Sequence, residues 1–579
     1  MRKISLFLAV FFVFVHVTNA QTVNLSTQSA IPLGTANNQP TNYISKVWLS
    51  DNGDGTYKNP VLHADYSDPD VIRVGDDFYM TASSFNEVPA LPILHSKDLV
   101  NWQIVGNVFQ NQQPFACYDS VIHGGGVWAP SMRYHKGEFY IYYPDPDYGI
   151  WMVKAINPAG HWSEPLLVKK SLGWIDPCPF WDEDGNAYLI NGMAGSRSGI
   201  KSVLIMNRMS EDGTRLLDNG VIVFDGHENH PTVEGPKMYK RNGYYYILAP
   251  AGGVGTGWQL VLRSKNIYGP YEEKVVLEKG TSITNGPHQG GWVDTQTGES
   301  WFMHFQDKDA YGRILHLEPV KWVNDWPLIG VDTDGNGIGE PVLTYKKPNV
   351  GKTYLVETPQ ESDEFNDTKI GLQWQWPANP KSNWCFPAGA AYGFLRLFNV
   401  PMRDGIQNRW NVPNLLTQKF PAPDFSAVTK FTFTAKTIDE EAGLIVMGID
   451  YSRISLKKTD KGMVVYKSTC IDAEGGKPEV NSAEEYIFTN TVYFKVKVEN
   501  INPNSPEFNT YNTAENSRWG NAKCTFSYST DGTNFKQIGD SFAAKKGKWI
   551  GAKVGIFAVR KGKTYESGYA DFDWFRIEK

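Results

Sequence analysis

A short pattern of apolar and polar residues recurs five times in the N-terminal part of the chain. Each copy consists of an alternating apolar strand, a glycine turn and a second strand rich in Tyr and Phe, as in "SMRYHKGEFYIYYP" and "KMYKRNGYYYILAP". Each copy continues into a further strand-like segment, such as "WQLVLRSKNIYGPY". The copies follow one another at intervals of roughly 50–60 residues, a spacing typical of repeat architectures. The turn glycines are Gly75, Gly137, Gly185, Gly243 and Gly298.

Short alternating strands separated by regular turn signals predict an all-β architecture. Five units of about four strands each predict a five-bladed β-propeller, which we place at residues 51–350. The alternative is a long β-sandwich with coincidental hairpins. Five glycines in register favour the propeller.

The glycine-turn repeat stops near residue 361 and gives way to longer segments with period-two patterning, such as "EAGLIVMGIDYSRISLKK" and "TVYFKVKVENI". These segments predict a second domain over residues 361–579, an antiparallel β-sandwich of the jelly-roll or concanavalin A-like type. Trp374, Trp376 and Trp384 cluster near its start. They either form a platform for carbohydrate or pack in the core, and core packing is favoured.

The N-terminus has the pattern of a secretory signal peptide over residues 1–20. Arg2 and Lys3 are followed by an apolar run and then by small residues before Gln21. A run of about 13 apolar residues is too short to span a membrane, which needs roughly 20. We therefore expect export to the periplasm or the extracellular space, without membrane insertion. Residues 21–50 are rich in Thr, Asn and Gln and are interpreted as a lead-in segment.

Composition narrows the class of protein further. The chain has 579 residues, a formal net charge of −6, 41% hydrophobic and 20% charged residues, values that exclude an intrinsically disordered protein. The mild acidity argues against nucleic acid as a partner. Five scattered cysteines, with no CxxC pair, indicate neither a zinc site nor a disulfide scaffold.

Five residues stand at similar offsets before the five turn glycines. They are Asp68, Trp128, Asp176, Glu234 and His288, seven to ten positions upstream of the respective glycine. Because the first strand of each propeller blade lines the central channel, we expect these side chains to meet at one end of that channel.

Three carboxylates around one axis suit acid–base chemistry. Packing like charges together drives their pKa values apart, so that one carboxyl stays protonated while another is ionised. Two such carboxyls on either side of an acetal are what glycoside hydrolysis requires. The plain alternative is that Asp68-Pro69 and Asp176-Pro177 only begin turns. Glu234 at the same offset favours catalysis.

Several of these motifs resemble glycoside hydrolase family 43. The similarity lies in "NPVLHADYSDPDVIRVGDDFYM", "VWAPSMRY", "WIDPCPFWDEDG", "EGPKMYKRNGYYYILAPAGG" and "GRILHLEPVKW", which occur in order on separate blades. The resemblance implies a five-bladed propeller with an appended β-sandwich and an inverting mechanism. It matches the general base to Asp68, the general acid to Glu234, and the carboxylate that tunes the acid and orients substrate to Asp176.

The same resemblance implies further substrate-binding residues. Phe85 and Trp128 match aromatic residues that line the sugar subsite. Arg313, in the Gly-Arg motif, matches a residue that binds a sugar hydroxyl or balances the carboxylates. His288 matches a channel histidine that supports the site and sometimes organises a cation, so a structural Ca²⁺ in the channel stays open. The resemblance implies that the chemistry itself requires no cofactor or metal. It also implies that one loop of the sandwich can close a side of the pocket, although the sequence does not identify that loop.

The expected function is that of a secreted, exo-acting, inverting glycosidase that releases terminal pentose units from hemicellulose or its oligosaccharides. α-L-Arabinofuranosyl units are narrowly favoured over β-D-xylosyl units. The alternatives are an endo-arabinanase and a non-catalytic, glycan-binding propeller with a lectin domain. The partner is in each case an oligo- or polysaccharide, and the sequence leaves the oligomeric state open.

Overall fold

The glycine hairpins form the two inner strands of five four-stranded sheets in the computed structural model, which describes residues 43–501, 521–562 and 566–579. All five turn glycines have positive φ, between 65° and 90°. A side chain is disfavoured in that conformation, so each hairpin depends on its glycine. The sheets are arranged as the blades of a propeller, which confirms the predicted architecture.

Strand β1 (Thr56–Lys58) precedes the blades. Blade I contains β2 (Asp70–Val74), β3 (Asp77–Thr81), β4 (Ala90–Ser96) and β5 (Trp102–Phe109). Blade II contains β6 (Ser131–His135), β7 (Glu138–Asp145), β8 (Gly149–Ala155) and β9 (Leu166–Lys170). Blade III contains β10 (Trp174–Trp181), β11 (Ala187–Met193), β12 (Val203–Met209) and β13 (Val221–Asp225).

Blade IV contains β14 (Lys237–Arg241), β15 (Tyr244–Ala251), β16 (Trp258–Ser264) and β17 (Glu272–Leu277). Blade V contains β18 (His288–Asp294), β19 (Ser300–Asp307), β20 (Arg313–Val323) and β21 (Trp326–Ile329). The next strand, β22 (Thr344–Lys346), pairs antiparallel with β1 and so ties the segment after the last blade to the segment before the first. Helical structure in the described residues is limited to α1 (Phe115–Tyr118), α2 (Gly195–Ser198) and the 3-10 turn Asp309–Tyr311.

The inner strands pack around a common axis. Strand β2 contacts both β18 and β6, β6 contacts β10, β10 contacts β14, and β15 contacts β18, so the ring closes between blades V and I. Arg133 reaches across the axis: its Nη1 lies 2.6 Å from Asp70 Oδ2 and its Nη2 lies 2.9 Å from Cys178 Sγ. Its guanidinium also faces the ring of Tyr239. This side chain therefore joins four blades across the axis.

The C-terminal half is a β-sandwich, as predicted. Its strands are β23 (Cys385–Pro387), β24 (Leu395–Phe398), β25 (Val400–Pro401), β26 (Leu415–Lys419), β27 (Phe425–Thr434), β28 (Glu441–Met447), β29 (Tyr451–Thr459) and β30 (Gly462–Cys470). They are followed by β31 (Val480–Ile487), β32 (Thr491–Asn500), β33 (Ala522–Ser529), β34 (Lys536–Gln537), β35 (Phe542–Ala544), β36 (Lys553–Arg560) and β37 (Tyr569–Glu578).

One sheet of the sandwich has the order β23-β24-β37-β27-β32-β33-β34 with β35 on β33, and the other has the order β25-β36-β28-β29-β30-β31 with β26 on β36. Trp374 and Trp376 are fully buried and Trp384 is 4% exposed, all in one core cluster with residues of both sheets. These three tryptophans pack in the core, and a carbohydrate platform formed by them is excluded.

The sandwich packs directly on the propeller at the start of β20. Tyr311 belongs to the core cluster of the sandwich, and its hydroxyl donates to the Pro423 carbonyl at 2.7 Å. The Ala552 N–H donates to the Ala310 carbonyl at 2.7 Å. The sandwich therefore reaches the propeller beside Arg313.

The predicted signal peptide and residues 21–42 of the lead-in lie outside the described residues. No helix within the described ranges is long and apolar enough to cross a membrane.

Candidate active site

Asp68 lies two residues before the start of β2, with φ of 55° and 4% exposure. Its Oδ2 accepts hydrogen bonds from the hydroxyls of Ser67 at 2.7 Å and Ser83 at 2.6 Å. Arg313 Nη1 stands 3.3 Å from both carboxylate oxygens and donates to Ser67 Oγ at 2.6 Å. These donors, from blades I and V, fix the orientation of the Asp68 carboxylate.

Asp176 projects from an irregularity in β10. The pairing register with β11 shifts between Ile175 and Cys178, and Asp176 has φ of 56°. Such a bulge re-aims a side chain that a regular strand would point elsewhere. Asp176 Oδ2 accepts from the Gly235 N–H at 2.8 Å and from Gln289 Nε2 at 3.5 Å.

The pKa of Asp176 is raised well above its ordinary value. Burial is the largest cause, and the negative charges of Glu234 and Asp68 follow. The three carboxyls therefore interact electrostatically, although they come from blades III, IV and I. This is the convergence that the sequence offsets predict.

Glu234 precedes β14, and its backbone N–H donates to the Pro250 carbonyl at 3.1 Å. Its Oε1 lies 2.9 Å from His288 Nε2. The side chain of Glu234 is 22% exposed and that of Asp68 5%, so Glu234 is the more accessible of the two. Gly192 lies between the side chains of Glu234 and Asp176. A Cβ added at Gly192 would stand 3.7 Å from both Glu234 Cβ and Asp176 Oδ2, so the two carboxyl side chains approach the same point.

Aromatic side chains form a wall beside the carboxylates. The rings of Phe85 and Trp128 have centroids 6.2 Å apart, and the rings of Trp128 and Trp549 have centroids 6.0 Å apart. Trp128 Nε1 donates to the Gly124 carbonyl at 2.9 Å, which fixes the indole. Phe85 is 2% exposed, so it supports Trp128 from behind the surface.

Trp549 belongs to the loop between β35 and β36 of the sandwich and is 45% exposed. Its ring also lies 5.7 Å from the guanidinium carbon of Arg313, measured to the ring centroid. Within the described part of the second domain, this loop reaches the site, and the sequence had not identified it.

A series of contacts links all seven residues predicted for the site, from the aromatic wall through Trp549 and Arg313 to the carboxyls and His288, and their roles stay predictions. Sequence reasoning missed Ser83, Gln289 and Trp549. A signal existed only for Trp549, a lone tryptophan between glycines and lysines in "KKGKWIGAK".

Whether the channel could hold a structural cation depends on the ligand atoms that its side chains offer. His288 Nδ1 is buried without a hydrogen-bond partner, but it is a single nitrogen, whereas Ca²⁺ takes six to eight oxygen ligands. No group of three or more His, Cys, Asp or Glu side chains within the described residues is arranged to hold a metal ion. These donors do not fit the structural Ca²⁺ that the resemblance left open.

Comparison with known proteins agrees with this geometry. The profile of glycosyl hydrolases family 43 matches residues 57–327, and that of the β-xylosidase C-terminal concanavalin A-like domain matches residues 362–578. A putative β-xylosidase of Xylanibacter ruminicola is 41% identical over 518 residues, which cover 89% of this chain and 88% of the relative. The chain belongs to glycosyl hydrolase family 43. It is a glycosidase of the β-xylosidase and α-L-arabinofuranosidase family, and its second domain is of the concanavalin A-like type.

Two further relatives and one solved structure extend the comparison of this family 43 enzyme. A β-xylosidase of Formosa agariphila is 34% identical, covering 91% of each chain. A non-reducing-end α-L-arabinofuranosidase of Bacteroides ovatus is 31% identical, covering 70% of this chain and 76% of its own. The family 43 protein BlXynB of Bacillus licheniformis superposes with a TM-score of 0.74 at 26% identity, covering 90% of this chain and 99% of its own.

Proposed function

We propose that this family 43 enzyme is an exported, exo-acting β-xylosidase that hydrolyses terminal xylosyl units with inversion. The observation that carries the proposal is the meeting of Asp68, Asp176 and Glu234 beside an aromatic wall. The relatives from Xylanibacter ruminicola and Formosa agariphila, both named β-xylosidases, favour the xyloside over the arabinofuranoside that the sequence narrowly preferred.

The chemistry assigns one role to each carboxyl. Glu234 donates its proton to the glycosidic oxygen as the bond from C1 to that oxygen breaks. Asp68 accepts a proton from a water molecule, whose oxygen forms the new bond to C1 from the opposite face. Asp176 orients Glu234 and tunes its affinity for the proton. Inversion needs space for that water, so we expect roughly 6.5–9.5 Å between the Asp68 and Glu234 carboxyls.

The surroundings of the carboxyls are consistent with these roles. Glu234 is the more exposed carboxyl and has His288 as its partner, as suits a group that exchanges protons with substrate and solvent. Asp68 is held by two hydroxyls and Arg313, as suits a base that must point at one water molecule.

Exo action is supported by the loop of Trp549. This indole and Trp128 stand on the same side of the site, at 6.0 Å between centroids, and they belong to different domains. A polymer chain running across an open groove, as an endo-arabinanase requires, would meet the sandwich loop at this point. A pocket closed on one side instead suits the terminal sugar of a chain.

α-L-Arabinofuranosidase activity is the second candidate. It is favoured by the relative from Bacteroides ovatus that bears this name, and by a relative from Butyrivibrio fibrisolvens, 26% identical over 550 residues, that is named xylosidase/arabinosidase. The two sugars present similarly placed oxygens, so one pocket can accept both.

Export is proposed from the N-terminal sequence alone. Arg2, Lys3, the apolar run and the small residues before Gln21 carry this part of the proposal. Comparing the mass of the protein from culture supernatant, periplasm and cytoplasm tests it. A species beginning near Gln21 outside the cytoplasm is expected, and an uncleaved cytoplasmic chain would contradict export.

The function itself is tested with two substrates and two variants. Hydrolysis of nitrophenyl β-D-xyloside and of nitrophenyl α-L-arabinofuranoside is measured for the wild type, Asp68→Asn and Glu234→Gln. We expect faster turnover of the xyloside and loss of turnover in Asp68→Asn. Cleavage of neither substrate, with glycan binding retained, would favour the lectin alternative, and internal cuts in linear arabinan would favour the endo-arabinanase.

A further inference from the structure

Asp65 lies three residues before Asp68, yet its carboxylate does not face the other three. It is 5% exposed, and its two oxygens accept from two different domains. Oδ1 accepts from the backbone N–H of Arg313 at 2.8 Å, and Oδ2 accepts from the backbone N–H of Gly551 at 2.8 Å. Hydrogen bonds to a carboxylate are roughly twice as strong as neutral ones, so this bridge is a strong local restraint.

Each partner of Asp65 leads directly to the site. Arg313 carries the guanidinium that stands 3.3 Å from both oxygens of Asp68. Gly551 lies two residues after Trp549, whose ring forms the sandwich side of the aromatic wall. One buried side chain thus fixes the backbone of both groups.

The backbone around this bridge is closely packed. Gly312 has φ of 72°, and a Cβ at that position would overlap the carboxyl group of Asp65. A Cβ at Gly551 would stand 2.7 Å from the Gly312 nitrogen. Glycine is therefore required at both positions: a side chain at Gly312 would collide with the Asp65 carboxyl, and one at Gly551 would push the sandwich loop away from the propeller.

Two ion pairs flank the same loop. Lys546 Nζ lies 3.1 Å from Asp307 Oδ2, and Lys553 Nζ lies 2.6 Å from Glu87 Oε2. These pairs join the two ends of the loop to the propeller. Asp65 binds the stretch between them, next to Trp549.

Two lysines, Lys419 and Lys553, lie near the Asp65 carboxylate. Lys419 is half-buried, and its partial burial lowers its pKa to about 8, with the nearby Lys553 cation acting in the same direction. The negative charges of Asp65 and Glu87 oppose that lowering.

We propose that Asp65 is a positioning residue that couples the two domains of the active site, holding Arg313 against Asp68 and Trp549 over the sugar pocket. The inference rests on the proposed function. It implies that the sandwich controls catalysis through a carboxylate of the propeller that touches no reacting atom.

The test is Asp65→Asn, which keeps the shape of the side chain but offers only one acceptor oxygen, so that one of the two N–H groups loses its partner. A displacement of about 1 Å can reduce rates by about 100-fold, and we expect kcat/KM for nitrophenyl β-D-xyloside to fall 10- to 100-fold. The matched control is Asp363→Asn in the sandwich, where a buried carboxylate likewise accepts the N–H groups of Phe365 and Gly371. Its kcat/KM should stay within about twofold of the wild type.

A double-mutant cycle separates positioning from a general loss of stability. If Asp65 acts partly through Trp549, Asp65→Asn should cost clearly less in a Trp549→Ala background than in the wild type. Three results would each overturn the proposal. In the first, the losses in kcat/KM of the two single variants multiply fully in the double variant. In the second, kcat/KM of Asp65→Asn stays within twofold of the wild type, and in the third, Asp363→Asn loses as much kcat/KM as Asp65→Asn.

Gly551→Ala provides an independent variant should Asp65→Asn fail to fold, because it displaces the loop without altering the buried carboxylate. A loss of at least tenfold in kcat/KM is expected, and unchanged activity would overturn the proposal. Asp68→Asn is assayed alongside. Activity retained in Asp68→Asn would refute the assignment of Asp68 as the general base. If Asp68→Asn is inactive but Asp65→Asn is fully active, only the role of Asp65 is refuted.

Discussion

Replacing Asp176 by Asn should make the protein more stable and the enzyme much less active. The pKa of Asp176 is raised by burial and by the charges of Glu234 and Asp68, so the carboxyl resists ionisation in the folded protein. In the unfolded chain the same group ionises near its ordinary value of about 3.9. Wild-type stability is therefore lost as the pH rises from the unfolded pKa to the folded pKa, and Asn removes that loss.

The magnitude follows from the linkage between pKa and stability. Between the two pKa values, the advantage of Asp176→Asn should grow by about 1.4 kcal/mol per pH unit. The amide oxygen of Asn can still accept from the Gly235 N–H, so the bond of 2.8 Å need not be lost. A gain of about 2 kcal/mol corresponds to a rise in Tm of roughly 4–8 °C for a domain of about 150–250 residues, and to a smaller rise for the larger propeller.

Thermal unfolding at pH 4.5, 6 and 7.5 measures the effect, with Asp76→Asn on the exposed β2–β3 turn as the control. We expect the Tm difference to be small at pH 4.5 and to increase towards pH 7.5, while the control differs little at any pH. Activity should fall by about 100-fold or more, because the carboxyl group that orients Glu234 is replaced by an amide. An Asp176→Asn variant that melts below the wild type at pH 7.5, or whose advantage does not depend on pH, would refute this reasoning.

Three further predictions concern the roles in the site. Asp68→Asn should lower kcat by about 1,000-fold on every substrate, with unchanged far-UV circular dichroism; near-wild-type activity would exclude it as the base. Glu234→Gln should lose far more activity on xylobiose than on a nitrophenyl xyloside, because a nitrophenolate leaves without protonation; equal losses would contradict its role as the acid. Trp549→Ala should lower kcat/KM by about 3- to 10-fold, mainly through KM, as lost stacking implies; an unchanged KM would remove Trp549 from the sugar pocket.

The architecture could be predicted from the sequence because its signals are local. Gly75 and Gly243 stand in tight hairpins whose positive φ requires glycine, and the flanking strands alternate with period two. The same register placed Asp68, Asp176 and Glu234 at equivalent offsets, so their convergence followed from the repeat.

Other parts of the site depend on contacts between distant segments. The bulge that turns Asp176 towards the channel and the left-handed conformation of Asp68 come from tertiary packing, which no local pattern reports. The contribution of Trp549 arises where the sandwich loop meets the start of β20, nearly 240 residues earlier in the chain. The bridge formed by Asp65 likewise joins the backbone N–H groups of Arg313 and Gly551, which are far apart in the chain.

The stereochemistry of the product tests the central claim most directly. The wild type is mixed with xylobiose in deuterated buffer, and the anomeric protons of the released xylose are followed by NMR before mutarotation. Hydrolysis by Glu234 and Asp68 on opposite faces of the sugar predicts that α-xylose appears first. If β-xylose appears first, the reaction proceeds with retention, and the assigned roles of Asp68 and Glu234 are wrong.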